Sequence, residues 1–308
     1  MKQLGRAALA ADALALMTLV LGSWTRINGA GLTCPDWPLC HGRILPSLAD
    51  GTLWEWTHRL LATSLAAAML AIVAIAWKKR SRSPFITPTL ATIISLFLLQ
   101  IVLGAQTVWL SNTPLSVVLH WATAIALIAA LSAMAIFAAA CDEVPARIRD
   151  ASRASRIQLA ALVTTAAAAF VTMCIGAYVS SSGAGLACLS IPGCAGNVVV
   201  YTPGQFVQMV HRIAAGATLL SAVAAFAVAW GYAASARLRV AVTLGVTLIF
   251  LQILLGLLNV AFRLPSDLRE AHAVNAALLF VTFFMGSMFA MLDAPLQHRS
   301  TLIETQSS

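Results

Sequence analysis

The sequence predicts an all-α integral membrane protein. Eight transmembrane helices are expected as two tandem four-helix bundles, a parallel duplication with a pseudo-two-fold axis along the membrane normal. Three observations carry that expectation. The 308 residues are 60% hydrophobic and only 10% charged, with a mean hydropathy of +0.88, whereas a soluble domain carries about 25% charged residues. Eight apolar runs approach the roughly 20 residues that cross a bilayer. A pattern of Gly, Cys and His then returns half a chain later. The net charge of +8 does not point to nucleic acid, because the basic residues lie between apolar runs rather than in a stripe.

The runs cover 8–25, 53–77, 86–109, 115–140, 158–180, 205–230, 240–262 and 268–292. The first has the basic start and apolar middle of a signal peptide, but no clear cleavage site follows and it has a counterpart later in the chain, so it reads as a span. Of the 19 Lys and Arg residues, 13 collect on one side: Lys2, Arg6, Lys78, Lys79, Arg80, Arg82, Arg147, Arg149, Arg153, Arg156, Arg237, Arg239 and Arg299. The positive-inside rule puts that side, and both termini, in the cytoplasm. The loops at 26–52 and 181–204 then lie outside a cytoplasmic (inner) membrane.

The repeat is read directly. Gly22-Ser23-Trp24 through Gly29-Ala30-Gly31-Leu32-Thr33-Cys34 aligns with Gly176-Ala177-Tyr178 through Gly183-Ala184-Gly185-Leu186-Ala187-Cys188. The offset is 154 residues there and at Cys40/Cys194, 153 at His58-Arg59/His211-Arg212, and 152 at His120/His272. Between them, Gln100-Ile101-Val102-Leu103-Gly104 matches Gln252-Ile253-Leu254-Leu255-Gly256. The expected units are 1–145 and 155–308, joined in the Arg-rich stretch 141–157. Four spans per unit keep both copies in one orientation.

His58, His120, His211 and His272 each lie about five residues into a span, roughly 8 Å below its outer mouth. Within a half, the second and fourth helices run the same way, so their imidazoles sit at equal depth. That arrangement suits axial ligation of a haem iron from both sides. A single histidine near a membrane interface is usually an anchor or a helix–helix hydrogen-bonding residue; four at matched depth in a duplicated unit favour ligation. Zinc would want a further ligand, and Gln208 stands where Glu55 stands in the first half. Small residues at Gly104, Ala105, Gly216, Ala217 and Gly256 are expected to leave room for a macrocycle.

Glu55 is one helical turn before His58, on the same face, and is expected near the macrocycle edge. The plainer alternative is an interface Glu favoured by the helix N-terminus. Arg59 and Arg212 are candidates for haem propionates, or else snorkelling residues. Cys34 with Cys40, and Cys188 with Cys194, read as two short disulfides on the oxidising side, with structural and redox roles both open. Cys141 and Cys174 read as ordinary thiols. Neither His41, unmatched in the second half, nor His298, in the polar tail, is expected to bind iron.

With these residues in view, the chain resembles the haem A synthase family, membrane enzymes of cytochrome oxidase biogenesis. Asn28-Gly29-Ala30-Gly31-Leu32-Thr33-Cys34-Pro35-Asp36-Trp37-Pro38-Leu39-Cys40 resembles the family's first outer loop, and Glu55-Trp56-Thr57-His58-Arg59 its Glu-x-x-His-Arg. The resemblance covers all eight spans; Cys188 and Cys194 match only part of the family. It implies an oxidoreductase that oxidises a ring methyl of haem O to a formyl group, giving haem A. His58 and His120 would hold haem O as substrate, and His211 and His272 a permanent haem b. Glu55 would act catalytically, stabilising positive charge or accepting protons. Implied partners are haem O synthase and an electron acceptor, a quinone or a redox protein, in a lipid membrane; a homo-oligomer is compatible with this. The rivals are a di-haem b cytochrome that only passes electrons, which explains the histidines but not Glu55, and a repeat-built transporter, which explains the duplication but not the histidines.

Overall fold

The computed structural model describes residues 1–140, 153–194, 196, 199–232 and 234–306, with side-chain surroundings described as far as residue 293. The expected join at 141–157, and with it Cys141, falls mostly outside the described residues.

Among the described residues, eight helices are long and apolar enough to cross a membrane. They are α1 (Lys2–Ile27), α2 (Thr52–Lys79), α3 (Ile86–Trp109), α4 (Pro114–Ala139), α5 (Arg153–Ser181), α6 (Pro203–Gly231), α7 (Ala236–Ala261) and α8 (Ser266–Gln306). No β-strand occurs among the described residues, as befits a chain whose backbone polar groups must be satisfied within each span. Each apolar run coincides with one helix, the runs 115–140 and 240–262 passing its end by one residue, and polar flanking residues extend most helices beyond the run. The starts follow local chemistry. Pro114 and Pro203 open α4 and α6 at positions where no N–H is needed. Thr202 and Ser235 cap α6 and α7 by accepting from Gln205 N and Leu238 N.

Helices α1 to α4 pack in a ring, each against the next and α4 back against α1; α5 to α8 repeat that neighbour order. The seam between the rings is made by α4 on α5, α1 on α8, and α4 on α8. Helix α4 is therefore central: 78% of its most apolar window is buried, against 22% for α2, α3, α6 and α7. Lipid offers as apolar a surface as a neighbouring helix does, so polar pins carry much of the specificity. Ser132 Oγ of α4 donates to Asp12 Oδ2 of α1 at 2.8 Å. Thr165 pairs with Ser221 at 2.8 Å and Thr172 with Thr218 at 2.9 Å, both joining α5 to α6. Buried Asp293 near the end of the last span takes Ser235 and Arg237 of α7.

Candidate functional site

The outer loops are built first, because they hold the helix mouths. Cys34–Cys40 and Cys188–Cys194 are disulfides, each with Cα atoms 4.6 Å apart and a sequence separation of 6; Cys174 is a free thiol. Alkylation without reductant is expected to spare all four paired cysteines and to modify Cys174 on denaturation, a pattern mass spectrometry reads directly.

Each loop is clasped by an arginine about two turns into the next long helix. The Arg59 guanidinium donates to the carbonyls of Cys34, Asp36, Pro38 and Leu39. Arg212 does the same to Cys188, Ser190, Pro192 and Gly193. These guanidiniums, expected to meet propionates, are thus engaged by loop carbonyls through both terminal nitrogens. In the first loop Asp36 adds a second clasp, accepting from His41 N and Gly42 N. The Gly42 N–H, chiefly, holds the Asp36 carboxyl below its ordinary 3.8, with the His41 N–H and the Arg59 charge helping. His41 itself reaches Thr33 O with Nε2 at 2.9 Å.

Glu55 is buried, at 4% exposure. Its Oε2 accepts from Thr33 Oγ1 and Cys34 N, both at 2.9 Å, and its Oε1 from Arg59 at 2.7 Å. Gln208 is equally buried and repeats the geometry without charge: Oε1 accepts from Cys188 N at 2.6 Å and Nε2 donates to Gly185 O at 2.9 Å. One position in each half therefore ties the first loop cysteine to the helix below it. Only the first half does so with a carboxylate.

The four histidines lie a turn or two deeper. His58 and His120 follow the starts of α2 and α4 by six residues, His272 that of α8 by six, and His211 that of α6 by eight. This is about 9–12 Å of helix rise. Each ring is seated on a glycine of the preceding helix. An alanine methyl would lie 2.6 Å from His58 Cε1 at Gly22, 3.1 Å from His120 Cε1 at Gly104, 2.8 Å from His211 Cε1 at Gly176, and 3.2 Å from His272 Cε1 at Gly256. Gly104 and Gly256, expected to leave room for a macrocycle, stand directly against the imidazoles. No atom lies within 4 Å of a methyl at Gly216.

The second ring nitrogens differ between sites. His58 Nδ1 is 3.0 Å from Thr18 O; with the proton there, Nε2 keeps the lone pair a metal needs. His211 and His272 face each other with ring centroids 6.5 Å apart and planes 72° apart. Two imidazoles bound to one iron at about 2 Å per nitrogen have centroids roughly 6 Å apart, so this pair fits a shared haem iron. His120 Nε2 is instead 3.4 Å from Gln100 Nε2. The counterpart Gln252 is turned away: its Nε2 donates to His272 O at 3.0 Å, and its Oε1 accepts from Asn275 at 2.7 Å. Among the described residues no group of three or more His, Cys, Asp or Glu is placed to hold a metal ion.

This arrangement can be set beside known proteins. The family model COX15-CtaA, described as cytochrome oxidase assembly protein, matches residues 6–52 and 48–284. The chain belongs to this family. Among relatives named heme A synthase, the protein of Bacillus pumilus is 30% identical over 275 residues, covering 86% of this chain and 88% of that one. That of Bacillus licheniformis is also 30% identical, with the same coverage. That of Shewanella oneidensis is 29% identical over 311 residues, covering 87% and 90%.

Two features of this COX15-CtaA chain escaped the sequence reading: the four glycine seats and the unequal partners of Gln100 and Gln252. The glycines had a signal, since Gly22/Gly176 and Gly104/Gly256 recur at the repeat offsets. The glutamines align equally well. What separates them is Asn275, whose counterpart in the first half is Thr123, and a residue-type pattern does not reveal which way an amide turns.

Proposed function

We propose that this chain is a haem A synthase, oxidising the ring methyl of haem O to a formyl group for terminal oxidase assembly. The single observation that carries the proposal is family membership at near-full coverage, on a chain whose four histidines lie at similar depth on glycine seats. The chain is an oxidoreductase of the cytoplasmic membrane with both termini in the cytoplasm, fed by haem O synthase and drained of electrons by an acceptor.

Residues 1–145 form the substrate half and 155–308 the cofactor half. Haem b, when bound by His211 and His272, supplies one-electron redox capacity. Three features support this division. The His211–His272 pair already stands at a ligating separation, and Asn275 keeps Gln252 off the ring nitrogen. His120 shares its Nε2 with Gln100, a contact that a substrate displaces on entry and that re-forms on release. Glu55, rather than Gln208, supplies a carboxylate one turn from the substrate histidine.

Within the substrate half, His58 and His120 hold the haem O iron. The Thr18 carbonyl fixes the His58 tautomer, and Gly22 and Gly104 set the ring positions. Glu55 holds the loop closed over the site and, through its negative charge, favours positive charge developing as the methyl is oxidised. The Arg59 and Arg212 clasps hold the disulfide loops against the helix mouths, and propionate pairing falls to their remaining N–H capacity.

The test is conversion. Purified protein given haem O and a small-molecule oxidant is expected to release haem A, detected by mass spectrometry of the extracted pigment. Bound haem O that is never oxidised would favour the electron-transfer cytochrome.

Two lesser predictions follow from the seats and loops. Gly176→Ala drives a methyl to 2.8 Å from His211 and forces the ring to shift. It is expected to lower haem b occupancy and broaden the low-spin signal in electron paramagnetic resonance, with Gly256→Ala milder. The Cys188→Ser, Cys194→Ser double variant is expected to lose about 2–3 kcal/mol of stability from loop-closure entropy while still oxidising haem O. A double variant that melts like wild type but does not turn over would assign these thiols to the chemistry.

A further inference from the structure

The two halves carry a glutamine at the same place yet leave it in different states. Gln100 lies four residues before Gly104, on the face of α3 that seats His120. Its Nε2 is 3.4 Å from His120 Nε2. An amide nitrogen only donates, so the ring nitrogen is the acceptor and carries the lone pair. Gln100 Oε1 is buried and has no hydrogen-bond partner among the described residues. In the second half the matching amide is engaged at both ends. Gln252 Oε1 accepts from Asn275 Nδ2 at 2.7 Å, and its Nε2 donates to His272 O at 3.0 Å. The first-half counterpart of Asn275 is Thr123, whose hydroxyl turns back to Leu119 O at 2.8 Å. A buried acceptor left unpaired costs desolvation free energy that nothing returns until a donor arrives.

The two pigments differ in what they can donate. Haem O carries a hydroxyl next to the ring, at the root of its farnesyl tail, where haem B has a vinyl group. That hydroxyl lies across the macrocycle from the propionates. The propionates are charged and belong at the outer aqueous mouth, which turns the hydroxyl-bearing edge deeper into the bundle. Gln100 is on the deep side. It is nine residues from the outer end of α3, whereas His120 is six from that of α4. The amide is therefore anchored about 4–5 Å below the anchor of the ring.

We propose that Gln100 is a specificity-determining residue of the substrate half, its Oε1 accepting a hydrogen bond from the haem O hydroxyl. The proposal rests on the haem A synthase reading and on the assignment of haem O to His58 and His120. Iron at His120 Nε2 takes the lone pair that Gln100 Nε2 contacts, so the amide is released as substrate enters. Free to turn, it offers the porphyrin edge an acceptor that the protein leaves unpaired. Haem B satisfies nothing there, and a site built to bond a hydroxyl discriminates against a ligand that lacks one. Gln252, tied to Asn275, makes no such demand, in keeping with a haem b that has no hydroxyl to give.

The experiment titrates haem B and, separately, iron haematoporphyrin into purified full-length protein that holds one haem b per chain, following Soret absorbance. Iron haematoporphyrin has hydroxyethyl groups where haem B has vinyls and lacks the farnesyl tail, so it isolates the hydroxyl. The preference for it over haem B is expected to fall about five- to tenfold from wild type to Gln100→Leu, the usual worth of one neutral hydrogen bond. Reading wild type against the variant cancels any difference in how the pigments partition into detergent. Thr123→Asn, which gives the first half the counterpart of Asn275, is expected to lower the preference similarly while leaving Gln100 in place. Unchanged haem b content checks the fold of each variant. A preference that Gln100→Leu leaves unchanged overturns the proposal. If that variant takes up neither pigment, an unchanged preference in Thr123→Asn overturns it. Wild-type protein that shows the preference yet never converts haem O with any oxidant overturns the functional reading instead.

Discussion

His211→Ala and His272→Ala are each expected to strip haem b from the purified protein, while His58→Ala and His120→Ala spare most of it. Loss of even an outer partner of a metal ligand costs about 10–100-fold in affinity, and loss of an axial ligand costs more. The asymmetry comes from preorganisation. His211 and His272 stand 6.5 Å apart, and Gln252 is held off by Asn275. His120 contacts Gln100 through Nε2, a contact that substrate exchange in the proposed substrate half would break and re-form. Pyridine haemochrome spectra per polypeptide measure the outcome. Equal loss of haem b from both pairs would show that the halves are not specialised.

Glu55→Gln is expected to leave fold, span and haem b content unchanged while slowing haem A formation by roughly 10²–10⁴-fold, the usual contribution of a positioned acid–base group. Gln208 shows how the variant is accommodated. A glutamine at this position keeps the loop tie, because its Oε1 accepts from the cysteine N–H, as Cys188 N does with Gln208. What disappears is the charge paired with Arg59 at 2.7 Å. Haem O or a hydroxylated intermediate is expected to accumulate in the extracted pigment. Near-normal haem A formation would reduce Glu55 to a loop anchor, the role that both halves share.

The eight spans were legible because bilayer crossing imposes a length and an apolarity that few other segments meet. The histidines were legible because the duplication displays them twice over, at matched places in matched helices. Orientation of polar side chains was not legible. Glu55 was expected at the macrocycle edge, and its oxygens are bonded to Thr33, Cys34 and Arg59. Arg59 and Arg212 were candidates for propionates or else snorkelling residues, and the ring of disulfide-loop carbonyls they hold was not foreseen. Loop carbonyls compete for guanidinium donors, and their direction depends on turn geometry that sequence spacing leaves unspecified.

The most direct measurement is the pigment extracted from the wild-type protein, purified after co-expression with haem O synthase. Haem B together with haem O, its hydroxylated form or haem A is expected, one haem for each half. Haem B alone, in both halves, would contradict haem O oxidation and make the chain a di-haem electron carrier.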